Sequence, residues 1–138
     1  MQKPSPAQMD AARRLLLYES GGKAEEQVAA AVRVYEKLRL QFATLLGTAA
    51  VQVLLTRSAK MTRDEFPGLA KSAVVGSPTE FRAYLQAQEP GTISAAAEAL
   101  FAAFLTLITT FVGEQLTAEV LRRAWPALEE SAPKETKK

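Results

Sequence analysis

ISAAAEALFAAFLTLITTFVG, running from Ile93 to Gly113, is the stretch on which the reading of the fold turns. It holds one charge, Glu98, and none from Ala99 to Gly113. Ile93, Ala97, Leu100, Phe101, Phe104, Leu105, Ile108, Phe111 and Val112 recur at spacings of three and four, the period of a helix with a broad apolar face. The opposite side carries Ala95, Glu98, Ala102, Thr106, Thr109 and Gly113, nearly all small. A helix that is apolar or small all round is either enclosed by protein or placed in lipid. The threonine hydroxyls need no outside partner, because each can bond to the carbonyl four residues earlier. The expected structure is therefore an all-α compact bundle of six to seven helices around a central apolar helix at about residues 93–113.

Working outward, Ser77-Pro78-Thr79-Glu80 reads as a helix start with N-cap Ser, N1 Pro and N3 Glu. It opens a short helix to about Gln88 that buries Phe81, Tyr84 and Leu85. Glu89-Pro90-Gly91 is a turn, after which Thr92 or Ser94 is expected to cap the central helix. Gly113 ends that helix, and Thr117 is expected to cap a last one carrying Val120, Leu121, Ala124 and Trp125 inward. On the N-terminal side, Ser5-Pro6-Ala7-Gln8 opens a first helix that Ser20-Gly21-Gly22 stops. A second helix is expected over Lys23 to Leu46, burying Val28, Ala31, Val32, Tyr35, Leu38, Phe42, Leu45 and Leu46. Gly47 separates it from a third, Thr48 to about Arg63, with Val51, Leu54, Leu55 and Ser58 inward. Thr62-Arg63-Asp64-Glu65 matches a second capping box and suggests a further short helix, broken by Phe66-Pro67-Gly68. Ser72 to Gly76 reads as a loop with Val74 and Val75 as an apolar plug. No sustained alternation marks a strand, and no internal repeat aligns. The expected organisation is a frayed N-terminus over residues 1–4, one helical domain over 5–128 and a disordered polar tail over 129–138.

Composition narrows the chemistry. The chain has 138 residues, 48% of them hydrophobic, and a net charge of +2, too small to imply a polyanionic partner. It contains no Cys, His or Asn, which removes thiolate chemistry, imidazole bases and Cys- or His-ligated metal sites. No glycine-rich phosphate loop is present. No enzymatic activity and no cofactor are expected. The first residues lack an apolar signal region, so a cytoplasmic location is the default expectation.

Five residues stand out as candidates for interaction. Glu98 is either a buried or arginine-paired carboxylate, or an acid favoured by the helix N-terminal dipole on the small side of its helix; the second reading is preferred. Arg57, Lys60 and Arg63 lie on one side of the third helix and could bind an anion or nucleic acid. With Asp64 and Glu65 beside them, a solvated face is the preferred reading and no strong nucleic-acid signal results. Trp125 before Pro126 is either an interface anchor or, as preferred, a residue that closes the core.

The stretches RSAKMTRDEFP (Arg57 to Pro67) and FVGEQLTAEVLRRAWP (Phe111 to Pro126) resemble segments of small, uncharacterised bacterial helical proteins. The resemblance implies a bacterial origin and brings no activity or site with it. The function expected from the residues is a non-enzymatic interaction or regulatory module that binds a protein partner or itself, as a homodimer. The alternatives are a membrane-active protein that exposes its central helix, and a binder of a small apolar ligand. At about 1.5 Å per residue, Ile93–Gly113 just spans a hydrocarbon core of about 30 Å. Glu98 inside that span argues against constitutive insertion, so any membrane contact is expected to be conditional.

Overall fold

Ile93–Gly113 does lie in the middle of an all-α bundle. A computed structural model of the protein describes residues 6–71 and 75–126. Its helices are α1 (Pro6–Ser20), α2 (Gln27–Leu46), α3 (Thr48–Met61), α4 (Pro78–Gln86), α5 (Pro90–Val112) and α6 (Glu114–Ala124). Single 3-10 turns occupy Ala24–Glu26 and Pro67–Ala70, and there is no strand among the described residues. The expected terminal segments, the Ser5 cap and Val74 lie outside the described residues.

α5 has eleven buried residues, among them Leu100, Phe101, Phe104, Leu105 and Ile108. α1 and α3 pack along it, α2 lies beside it, and α6 folds back from its end. α1 runs antiparallel to α5: Arg13 faces Glu98, and Gln8 Nε2 donates to Thr109 Oγ1 at 3.5 Å. The interior is a chain of rings. Tyr35 stacks on Phe81 at 5.1 Å, Phe81 meets Phe101 edge-on at 6.0 Å, and Phe42 meets Phe104 edge-on at 5.7 Å. These aromatic contacts tie α2, α4 and α5 together, each adding about 0.5–1.5 kcal/mol beyond the area it buries.

Helix boundaries depart from the sequence expectation where two cap signals compete. α5 starts at Pro90, not after Thr92 or Ser94, with Glu89 in an extended N-cap conformation. Proline at the first helical position loses nothing by lacking an N–H, so it outbids the hydroxyls that follow. Thr62 ends α3 rather than starting a new helix; its hydroxyl donates to the Ala59 carbonyl at 2.7 Å. Thr117 lies inside α6 and donates to the Gly113 carbonyl at 2.9 Å, leaving Gly113 as the N-cap. Lys23 precedes a 3-10 turn, and α2 itself begins at Gln27. Leu45, expected inside, is 42% exposed and is the last residue but one of α2. Ser77 caps α4 as expected, its hydroxyl accepting from the Glu80 N–H at 3.2 Å.

A repeat that the sequence hides is plain in the elements. Gly113 follows Gly47 by 66 positions, and the same offset takes the end of α1 at Ser20 to the end of α4 at Gln86. It also takes the end of α2 at Leu46 to the end of α5 at Val112. Burial along Phe42–Val51 matches burial along Ile108–Thr117 position for position. Thr44 and Thr110 each donate to the carbonyl four residues earlier, in both cases three residues before the glycine. The two halves are interleaved: α1 and α3 of the first pack on α5 of the second, while α4 and α6 of the second pack on α2 of the first. Neither central helix is covered by its own half alone.

Both glycines form one-residue corners with matching backbones, φ 96° and ψ 150° at Gly47 and φ 94° and ψ 158° at Gly113. L residues avoid this region whatever space surrounds them. An added Cβ would meet nothing within 4 Å at either site. Gly47→Ala and Gly113→Ala should therefore each destabilise by about 1–3 kcal/mol through backbone strain alone. Urea unfolding followed by circular dichroism measures this, and an unchanged midpoint in either variant would show that its corner relaxes freely.

Candidate functional site

Two places in the bundle gather polar groups against apolar walls. The first is a knot where the end of α1, the middle of α2 and the end of α6 meet. Glu19 occupies the last turn of α1, the negative end of that helix's dipole, where an acid is disfavoured. Its side chain is only 7% exposed. Three donors compensate: Arg33 Nε at 3.0 Å, Lys37 Nζ at 2.6 Å and Trp125 Nε1 at 2.7 Å. Arg33 also reaches the Glu19 backbone carbonyl at 2.7 Å, and Lys37 Nζ stands 5.2 Å from the centre of the Trp125 ring. Burial pushes the Glu19 carboxyl up, but the hydrogen bonds from Lys37, Trp125 and Arg33 and the Lys37 charge outweigh it and hold the group below the usual range. In the other half the equivalent positions are Leu85, Ala99, Ala103 and Ala59, all buried and apolar. The knot is thus a substitution of polar packing for hydrophobic packing at one of two equivalent places.

The second place is a cleft of about 290 Å³ between the C-terminal half of α1 and the starts of α2 and α5. Leu16, Leu17, Ile93 and Ala97 supply its apolar sides, and Arg13, Lys23, Gln27 and Glu98 its polar ones. Glu98 has a side chain 21% exposed, with Arg13 Nε 3.8 Å away. It is therefore arginine-paired across helices, which is the first of the two sequence readings and not the preferred one, a dipole-favoured acid on the small side of its helix. Gln27 Oε1 is buried and has no donor.

The other sequence candidates are placed elsewhere. Arg57, Lys60 and Arg63 are exposed, none of them lines the cleft, and none makes an ion pair among the described residues. Trp125 is 2% exposed and belongs to the core, so its ring offers no surface to a partner. Phe42, Phe81, Phe101 and Phe104 are fully buried against one another. Among the described residues no group of three His, Cys, Asp or Glu side chains is placed to hold a metal ion.

A further polar point anchors the connection between the halves. The Val75 carbonyl accepts from the Tyr35 hydroxyl at 2.8 Å and from Gln52 Nε2 at 3.1 Å. Burial raises the Tyr35 phenol, which keeps it a donor, while the nearby Arg39 opposes the shift. Sequence reasoning missed Glu19, Lys37 and Gln27. The one available signal was an acid at a helix C-terminus, a position that calls for cationic partners. Comparison with known protein families, with curated proteins and with solved structures finds no match.

The knot has a pH signature. A carboxyl held below its unfolded value contributes stability that is complete above the ordinary glutamate range and is lost as pH falls through the folded value. The Glu19 contribution should therefore be constant from neutral pH to about 5 and then decline in acid. Arg33 and Lys37 remain well exposed, so solvent screens their share. Glu19→Gln should cost about 1–2 kcal/mol at pH 7 and flatten the acid decline. Urea midpoints measured between pH 3 and 7 check this; parallel curves for wild type and variant would remove Glu19 from the account.

Proposed function

We propose that the protein is a non-enzymatic helical interaction module that docks on a protein partner or on a second copy of itself. The reading rests on where large apolar side chains meet solvent. Leu45 and Phe111 occupy equivalent positions in the two halves, each two residues before a corner glycine, and are 42% and 69% exposed. Leu40 and Val53 are exposed as well. A single exposed leucine needs no explanation. Repetition of one at the same place in both halves, next to the corners that fix the fold, favours a role in association. A chain without Cys or His has few means of nucleophilic or general-base catalysis, which supports the same reading.

Membrane activity is the second reading, and the length of α5 favours it. By length and composition α5 is able to cross a bilayer, but half of its most apolar stretch is buried within the bundle. Insertion would strip α1, α2 and α3 of their common partner.

Light scattering should report a dimer for the wild type and a monomer for the double variant Leu45→Ser/Phe111→Ser, with unchanged helical circular dichroism. A wild-type monomer at high concentration would rule out self-association. The folded protein mixed with anionic vesicles at neutral pH should stay in the soluble fraction, and spontaneous flotation would put the membrane reading first.

A further inference from the structure

The two glycine corners lie at one end of the bundle. Phe81 meets Tyr35 of α2 and Phe101 of α5, and further along both helices Phe42 meets Phe104. α2 and α5 therefore run parallel, which brings Gly47 and Gly113 to the same end. α1 begins there too, with Gln8 against Thr109. No residue from Leu40 to Thr56 carries a charge, and none from Ala99 to Gly113. Leu40, Leu45, Val53 and Phe111, exposed large apolar side chains, all fall in these two stretches. Leu40 and Val53 lie within about two turns of Gly47, one on each side of it. Thr44 and Thr110, exposed beside Leu45 and Phe111, donate their hydroxyls back to the Leu40 and Thr106 carbonyls, so they ask for no outside acceptor. The opposite end differs: Lys23, Glu25 and Glu89 are exposed there.

Charge decides among the occupants of such an end. A surface that rests on lipid carries Lys or Arg at its rim. Here the charge closest along the chain to either corner is the acid Glu114, and Arg39, Arg57 and Arg122 stand two turns or more away. A foreign protein is selected and wrong ones are rejected by a pattern of charges, and this end has none to offer. A second copy needs no such pattern. A two-fold axis sets a surface against itself, so the surface has only to avoid repelling its own image, and an uncharged apolar one does.

We propose, building on the association reading above, that two copies of this chain dock corner end to corner end about a two-fold axis, burying Leu45 and Phe111 of both copies between them. The charged ends then point away from each other. The pair uses up the one uncharged end of each copy, so it is closed and adds no third.

Distances between copies test this. The chain has no Cys, so one introduced cysteine takes a spin label at a single place. Thr110→Cys puts the label on the exposed surface beside Phe111. Gly91→Cys puts it at the start of α5, where an added Cβ meets nothing within 4 Å. α5 has 23 residues and is about 35 Å long. Double electron–electron resonance on the full chain should give a distance between copies below about 30 Å from Thr110 and near about 70 Å, two bundle lengths, from Gly91. Thr44→Cys, the equivalent position in the first half, should give the same short distance and serves if Thr110→Cys loses its helical circular dichroism. Phe111→Glu sets like charges into the shared face and should weaken the dimer at least about tenfold. A dimer whose Gly91 labels are the closer pair, or one that a folded Phe111→Glu leaves intact, would overturn the end-to-end arrangement while self-association through another face stood. Growth beyond a dimer with rising concentration would overturn it as well. A monomer at high concentration would overturn it and leave only a different protein as the partner in the functional reading.

Discussion

α5 has no side it can show to water along most of its length, and the arrangement of the other helices follows from that. From Ala99 to Gly113 there is no charge to solvate, and the side opposite the large apolar residues is alanine and threonine. Small residues let neighbouring helices approach closely, while Thr106 and Thr110 satisfy their hydroxyls on carbonyls of the same helix. Each large apolar side chain brought in from water contributes about 1.5–3 kcal/mol. Such a helix is stable only when covered from several directions at once, and α1, α2 and α3 supply that cover.

The repeat explains how so short a chain does this. Each half offers a helix, a central helix and a helix turned back at a glycine corner, and each half covers the other's central helix. The covering helices of the first half, α1 and α3, have 15 and 14 residues; α4 and α6 of the second have 9 and 11. α1 and α3 pack on α2 as well as on α5. The central helices differ in what they present. Where α2 has Arg33, Glu36, Lys37 and Arg39, α5 has Ala99, Ala102, Ala103 and Leu105. Charges on α2 reach solvent or the Glu19 knot, which fastens the end of α6 to α1 and α2.

Features set by neighbouring residues were legible in the sequence. The helical period of Ile93–Gly113, the Ser77 cap and the glycine stops depend only on residues a few positions apart. Thr62 and Thr117 misled because a threonine near a helix end can bond forward as a cap or backward to a carbonyl, and packing decides between them. Glu19 could not be assigned partners, since Lys37 and Trp125 are 18 and 106 positions away. The cleft depends on how α1 crosses α5, which no local pattern encodes; of its lining, Glu98 alone stands out in the sequence as an interaction candidate. The repeat stayed hidden because its two copies are buried differently, so their charges no longer align, and only a few residues such as Tyr18 and Tyr84 or Gly47 and Gly113 remain the same.

The central claim is that α5, covered by both halves, is the last element to open. Native-state hydrogen exchange by NMR tests it most directly, because each amide reports the free energy of the opening that exposes it. The account predicts that Leu100 to Ile108 exchange only through global unfolding, with free energies equal to that from urea denaturation. Their partners on α2, Val34 to Phe42, should share this behaviour, while α4 and α6 open at lower cost. Exchange of the α5 amides at lower free energies than those of α3 or α6 would contradict the claim, since the bundle would then be held by its outer helices.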